Sequence, residues 1–253
     1  MSVLATHPLP SALGRRRAPS APALAAAAVL AQIAYPLVPR GSATSALTIA
    51  TVLLFTAAVL VDAGRTRGLR LLLIAGGVGF LAEVVGVHTG WPFGSYAYTG
   101  GLGPGLAGVP LLIPLAWTMM AGPALAVGRR LGRSRLGVMA WGAGALASWD
   151  LFLDPQMVHA GFWRWAPSGL TLNGIPIVNH LGWLATALVL MAALERAVPD
   201  AERDAVPLAL WLWTFASSVL ANVAFFGRPS VAFVGGLGMG VVALPLVRRL
   251  LPQ

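Results

Sequence analysis

Apolar residues run along this chain in long, nearly unbroken stretches, parted by short polar breaks that carry arginine, glycine or proline. The stretches cover roughly residues 21–39, 43–63, 69–89, 108–128, 136–153, 174–194, 207–225 and 230–247. Each is close to the ~20 residues an α-helix needs to cross a hydrocarbon core of ~30 Å. Backbone polar groups in lipid must be satisfied within the segment, so runs of this length read as helices. The pattern therefore predicts an all-α fold: a polytopic membrane helical bundle of about eight transmembrane helices. It forms a single integral membrane domain over residues 21–250. Ahead of it, MSVLATHPLPSALGRRRAPS (residues 1–20) reads as a loose, basic cytoplasmic tail. The first run imitates the apolar core of a signal peptide. It is long enough to span a bilayer, however, and is expected to stay as an uncleaved first helix.

The polar breaks also orient the bundle. Cytoplasmic loops of membrane proteins are enriched in arginine. With the N-terminus inside, the inner segments hold Arg15, Arg16, Arg17, Arg65, Arg67, Arg70, Arg129, Arg130, Arg133, Arg135, Arg196, Arg203, Arg248 and Arg249, and the outer ones only Arg40, Arg164 and Arg228. This split predicts both termini on the cytoplasmic side of a bacterial cytoplasmic membrane. Composition agrees: 57% of residues are apolar and 10% charged, against about 25% charged in a soluble domain, and the mean hydropathy is +0.78. The net charge of +9 is spread through the topogenic breaks and does not gather on one solvated face, so the partner it implies is the lipid bilayer and no nucleic acid. The chain has no cysteine, which excludes disulfides, thiolate catalysis and cysteine metal sites.

Two clusters break the apolar pattern at the outer end. The first opens with Glu83 inside GFLAEVVGV, passes His88, and enters an aromatic knot of Trp91, Phe93, Tyr96 and Tyr98 before returning to apolar sequence and Trp117. The second holds Asp150, Asp154, Trp163, Trp165, Asn173, Asn179 and His180. An ionisable group inside a membrane span is costly and is a candidate for function. A carboxyl in the setting of Glu83 tends to hold its proton. Asp150 and Asp154 are four residues apart and share a face if the helix continues. Pro155 disfavours helical geometry at Asp154 and predicts that the helix ends there, which would make Asp154 a turn residue instead. The remaining acids (Asp62, Glu195, Asp200, Glu202 and Asp204) fall at cytoplasmic loops.

Each group also has an ordinary structural role. The tryptophans and tyrosines can form an interfacial belt, and Trp117, Trp149 and Trp183 can be packing residues inside spans. Asn173-Gly174-Ile175-Pro176 predicts a turn with Asn173 capping the sixth helix, whose first turns carry Asn179 and His180. The histidines at 88, 159 and 180 lie on different segments without the spacing of a metal motif, so no metal is expected. The glycines of GGLGMG at 235–240 suit close helix packing and no phosphate loop. DLFLD (150–154) is similar to the DxxxD of membrane prenyltransferases, but no second aspartate-rich motif accompanies it.

Four blocks in order carry a more specific resemblance: AEVVGVHTGWPFGSYAY, GVPLLIPLAWTMM, SWDLFLDPQMVHAGFWRW and LNGIPIVNHLGWL. Over residues 80–190 the chain resembles the membrane carotenoid hydratases of the CruF type. The resemblance implies cofactor-independent addition of water across the terminal 1,2 double bond of an acyclic ψ-end carotenoid, such as lycopene or γ-carotene, giving a tertiary 1-hydroxy group. The residues suit that chemistry. Either Glu83 or Asp150 would donate the proton and the other handle water, with Asp154 or His88 next in line. Asn179 and His180 would place the water, and Trp91, Tyr96, Trp163 and Trp165 would line the cation pocket, since aromatic faces stabilise cations in dry sites. The competing readings are an end-group cyclase, which starts with the same protonation, and a non-catalytic isoprenoid-binding membrane protein or transporter.

Overall fold

A computed structural model of the chain describes residues 20–166, 169–200 and 204–251. The expected basic tail, with Arg15 to Arg17, lies outside the described residues, as do Glu202 and Arg203. The helices are α1 (Ser20–Ala34), α2 (Ser42–Leu71), α3 (Gly77–Thr89), α4 (Leu112–Leu131), α5 (Arg135–Ala160), α6 (Ile177–Ala197), α7 (Ala205–Ala224) and α8 (Pro229–Leu250). A π-helical turn, Leu72–Gly76, joins α2 to α3. The all-α membrane architecture is as the apolar runs predict.

The count of eight is not. Among the described residues the helical runs number seven, because the second and third expected spans join into one stretch of 48 residues, Ser42–Thr89, in which two helices meet at a kink. Six are long and apolar enough to cross a membrane. The long stretch is not straight. Gly64 breaks it at φ 73°, ψ 170°, and a Cβ on Gly68 would lie 2.8 Å from the Leu60 carbonyl oxygen. Eight residues of straight helix would separate those positions by ~12 Å, so the chain bends sharply at a residue that only glycine accommodates easily. The helix outside the six is α4, which is enclosed by the others: Trp117 to Met120 and Pro123 to Gly128 are almost all buried. A helix wrapped in protein answers to packing and needs no greasy outer face.

Large apolar side chains stay exposed on the outer helices, among them Leu53, Leu73, Leu188, Leu220, Phe233 and Leu244. On a soluble protein so much exposed apolar surface would be an aggregation liability, whereas here it faces lipid, and the protein is an integral membrane protein. Inside, buried polar groups bridge helices: Thr56 donates to the Leu115 carbonyl (3.0 Å) and Trp211 Nε1 to the Ala145 carbonyl (3.2 Å). The glycines of α8 do pack closely, since a Cβ on Gly235 would meet the Phe152 ring at 2.6 Å.

Described members of the two arginine sets make separate groups of contacts. Arg129 pairs with Glu195 and Asp200, and Arg67 with Asp204. In the second group Arg40 binds His159, and Arg228 donates to the Pro155 carbonyl. We propose that the first group is cytoplasmic. Reporter fusions after Arg130 and within residues 100–106, on either side of α4, are expected to report opposite sides of the membrane. The same side for both would remove the proposed orientation.

Candidate active site

The two sequence clusters meet through their loops. Strand β1 (Tyr96–Tyr98) pairs antiparallel with strand β4 (Trp163–Trp165), in the register Tyr96 to Trp165 and Tyr98 to Trp163. The ladder is extended by Thr99 N to Phe162 O (3.0 Å) and Ala166 N to Ser95 O (2.8 Å). Side chains alternate along a strand, so both tyrosines and both tryptophans turn one way, while Ala97 and Arg164 turn the other. Tyr96 lies 4.9 Å from Trp165 and Tyr98 5.7 Å from Trp163, centroid to centroid. The pairing ties the loop after α3 to the loop after α5. Two hairpins flank this pair: β2 (Gly105–Leu106) with β3 (Val109–Pro110), and β5 (Thr171–Leu172) with β6 (Ile175–Pro176).

Glu83, buried in α3, receives three donors. Tyr96 and Tyr98 donate their hydroxyls to Oε2, the latter at 2.8 Å, and Trp117 Nε1 donates to Oε1 at 3.1 Å. Burial pushes both phenols well above the usual tyrosine range, which keeps them protonated and donating. Trp117 in turn stacks on Trp183, with ring centroids 4.3 Å apart and planes 11° apart. That stack needs Gly79, where a Cβ would sit 2.3 Å from the Trp117 ring.

The second acid group sits on α5. Contrary to the expectation of a helix end at Asp154, α5 runs through Pro155 to Ala160. Proline inside a helix removes one N–H donor, and the bundle tolerates the loss. Asp150 and Asp154 therefore share one face, both fully buried. The Asn179 amide nitrogen donates to Oδ2 of each, at 3.0 Å for Asp150. His180 Nδ1 lies 2.7 Å from Asp150 Oδ2, so His180 touches an acid and not the cavity.

A cavity of about 180 Å³ lies between these groups, walled by Glu83, Asp154, Asn179, Phe93, Tyr96, Tyr98, Trp117, Trp163 and Trp165. Asp150 stands behind Asp154 and does not line it. Three candidates lie elsewhere. His88 is exposed and bonds the Val84 carbonyl of its own helix at 2.9 Å. Trp91 is 72% exposed. Asn173 forms the β5–β6 turn with Gly174, at φ 53° and 81°, the conformation that an Asn-Gly hairpin favours. It does not cap α6, whose N-cap is Pro176. His88, His159 and His180 have separate partners, and among the described residues no three His, Asp or Glu side chains gather as a metal site.

Sequence reasoning placed Trp149 and Trp183 in packing, yet both line the cavity. Trp183 lies four residues after Asn179 and so on the same helical face, a signal available in the sequence. The opposite wall was also missed: Gln32, Tyr35, Thr48, Thr51, Thr214, Ser217 and Ser218 on α1, α2 and α7 and the turn after α1. Hydroxyls at helical spacing inside apolar runs could have pointed to it.

A bisanhydrobacterioruberin hydratase from Haloarcula japonica is 34% identical over 113 residues, an alignment that covers 42% of this chain and 38% of the relative. The chain thus spans well under half the length of that curated relative. No solved structure matches. The profile of a family described as "Carotenoid biosynthesis protein" matches residues 42–243, which takes in both acid groups and the paired loops. This chain belongs to the carotenoid biosynthesis protein family.

Proposed function

We propose that the protein is a carotenoid 1,2-hydratase, adding water to the terminal double bond of an acyclic ψ-end carotenoid such as lycopene or γ-carotene without a cofactor. The observation that carries the reading is the aspartate pair on one amide donor at the wall of an aromatic cavity. Two carboxyls held together share a proton, as in aspartic dyads. Asp154, the member that lines the cavity, donates that proton to the less substituted alkene carbon, and the π pair forms the new C–H bond. Asp150, Asn179 and His180 position it.

The tertiary cation left behind is stabilised by Glu83, fixed as an acceptor by its three donors, and by the faces of Trp117, Trp163, Trp165 and Tyr96. Preorganised charge of this kind is usually the largest catalytic contribution. Water then forms the C–O bond, and its surplus proton returns to the aspartate pair. The relative's printed activity, a hydratase, supports the same class of reaction.

Expression in a lycopene-accumulating bacterium tests the reading. The expected pigment is heavier by one water per reacted end, measured by chromatography and mass spectrometry. A changed pigment of unchanged mass would indicate cyclisation, and an unchanged pigment would point to a carotenoid-binding protein without catalysis.

A further inference from the structure

The acid groups reach the cavity from α3, α5 and α6, and further hydroxyl and amide groups reach it from α1, α2 and α7. Hydroxyls in membrane helices commonly satisfy themselves on the carbonyl four residues back. Thr48, Thr118 and Thr214 do so, at 2.9, 2.8 and 2.8 Å. Thr51 and Ser218 do not: among the described residues their hydroxyls bond no protein group. Gln32 uses its Oε1 to accept from Trp213 Nε1 at 2.6 Å, which leaves its amide nitrogen available.

A water in a protein interior needs about 2–4 polar partners. On the acid side both Glu83 oxygens already accept and the Asn179 amide nitrogen serves both aspartates, and among the described residues Trp165 Nε1 is the buried donor left without a partner. We propose that the arm formed by Gln32, Thr51 and Ser218 is the binding site for the water that is consumed, with Thr51 and Ser218 as its positioning residues. The inference rests on the hydratase reading above. It gives the cavity two ends, so the polyene terminus lies between proton and nucleophile. The alkene pair takes the Asp154 proton on one side. A lone pair of the arm's water forms the C–O bond on the other. The oxonium gives up its surplus proton and one proton replaces the one Asp154 donated, so no further reactant is required.

A cation that water fails to capture either loses a proton again or is attacked by a neighbouring double bond, and the recovered acyclic carotenoid reports the first fate. The test therefore assays wild type, Thr51→Val, Ser218→Ala and the double variant in deuterium oxide with an acyclic carotenoid, at matched membrane levels. Each single variant is expected to lose hydroxylated product by about tenfold, the worth of one hydrogen bond, and the double variant more. Deuterium is expected to enter the recovered, unhydrated carotenoid in the variants, and Thr51→Ser should restore hydration. Both single changes are close to isosteric, so they carry the comparison if the double variant accumulates poorly. Normal hydration in the variants would overturn the arm's role. So would a parallel loss of hydration and deuterium uptake that Thr51→Ser does not restore. Wild type yielding neither hydrated nor deuterated carotenoid would overturn the hydratase reading itself, and the arm's role with it.

Discussion

Asp154→Asn is expected to lower hydroxylated carotenoid by about 10²–10⁴-fold, the usual contribution of a positioned general acid, with the protein still in the membrane. The substitution keeps the shape of the side chain and removes the proton that faces the cavity. Asp150→Asn should cost at least about 10²-fold as well, because the dyad's proton then has one carboxyl to reside on. Glu83→Gln differs in kind. Tyr96 and Tyr98 donate to one Glu83 oxygen and Trp117 to the other, whereas an amide has a single acceptor oxygen. One side must therefore meet an N–H₂ group, leaving buried donors unpaired at about 1–3 kcal/mol, so abundance should fall together with turnover. His88→Gln is the control: its ring is exposed and bonds only its own helix, and surface changes of that kind stay within about 0.5 kcal/mol. Pigment conversion divided by immunodetected membrane protein separates these cases. If Asp154→Asn and Asp150→Asn both keep near wild-type conversion, the proton does not come from the dyad.

Gly79→Val is expected to be nearly as damaging through packing alone. A Cβ at Gly79 would stand 2.3 Å from the Trp117 ring, and the other two nearest atoms also belong to Trp117. Trp117 has no room to yield, because it stacks on Trp183 and donates to Glu83. Overpacking of a tight core costs roughly 1–3 kcal/mol, and displacement of the indole would further remove one Glu83 donor and one wall of the cavity. Thermal unfolding in detergent should show the loss, and carotenoid conversion should fall with it. A variant of normal thermal stability and normal conversion would mean that the Trp117–Trp183 stack is not needed.

The sequence determined the class of protein because that class depends on composition and period alone. Eight apolar runs with arginine in the breaks can only be a membrane helical bundle, and Glu83 and Asp150 stand out in it because charge is costly in lipid. The blocks around Tyr96, Trp163 and Asn179 were legible for the same reason, as polar and aromatic clusters at one end of apolar spans. What stayed hidden depends on who faces whom. The pairing of Tyr96 with Trp165 joins residues 69 positions apart, and no local pattern encodes it. The helix through Pro155 contradicts a local rule, and it aligns Asp154, not Asp150, with the cavity. The sequence favoured Asp150 over Asp154, and only the position of the cavity reverses which of the two faces it. Local chemistry marks which side chains are costly to bury, whereas tertiary packing decides which of those costs is turned toward the cavity.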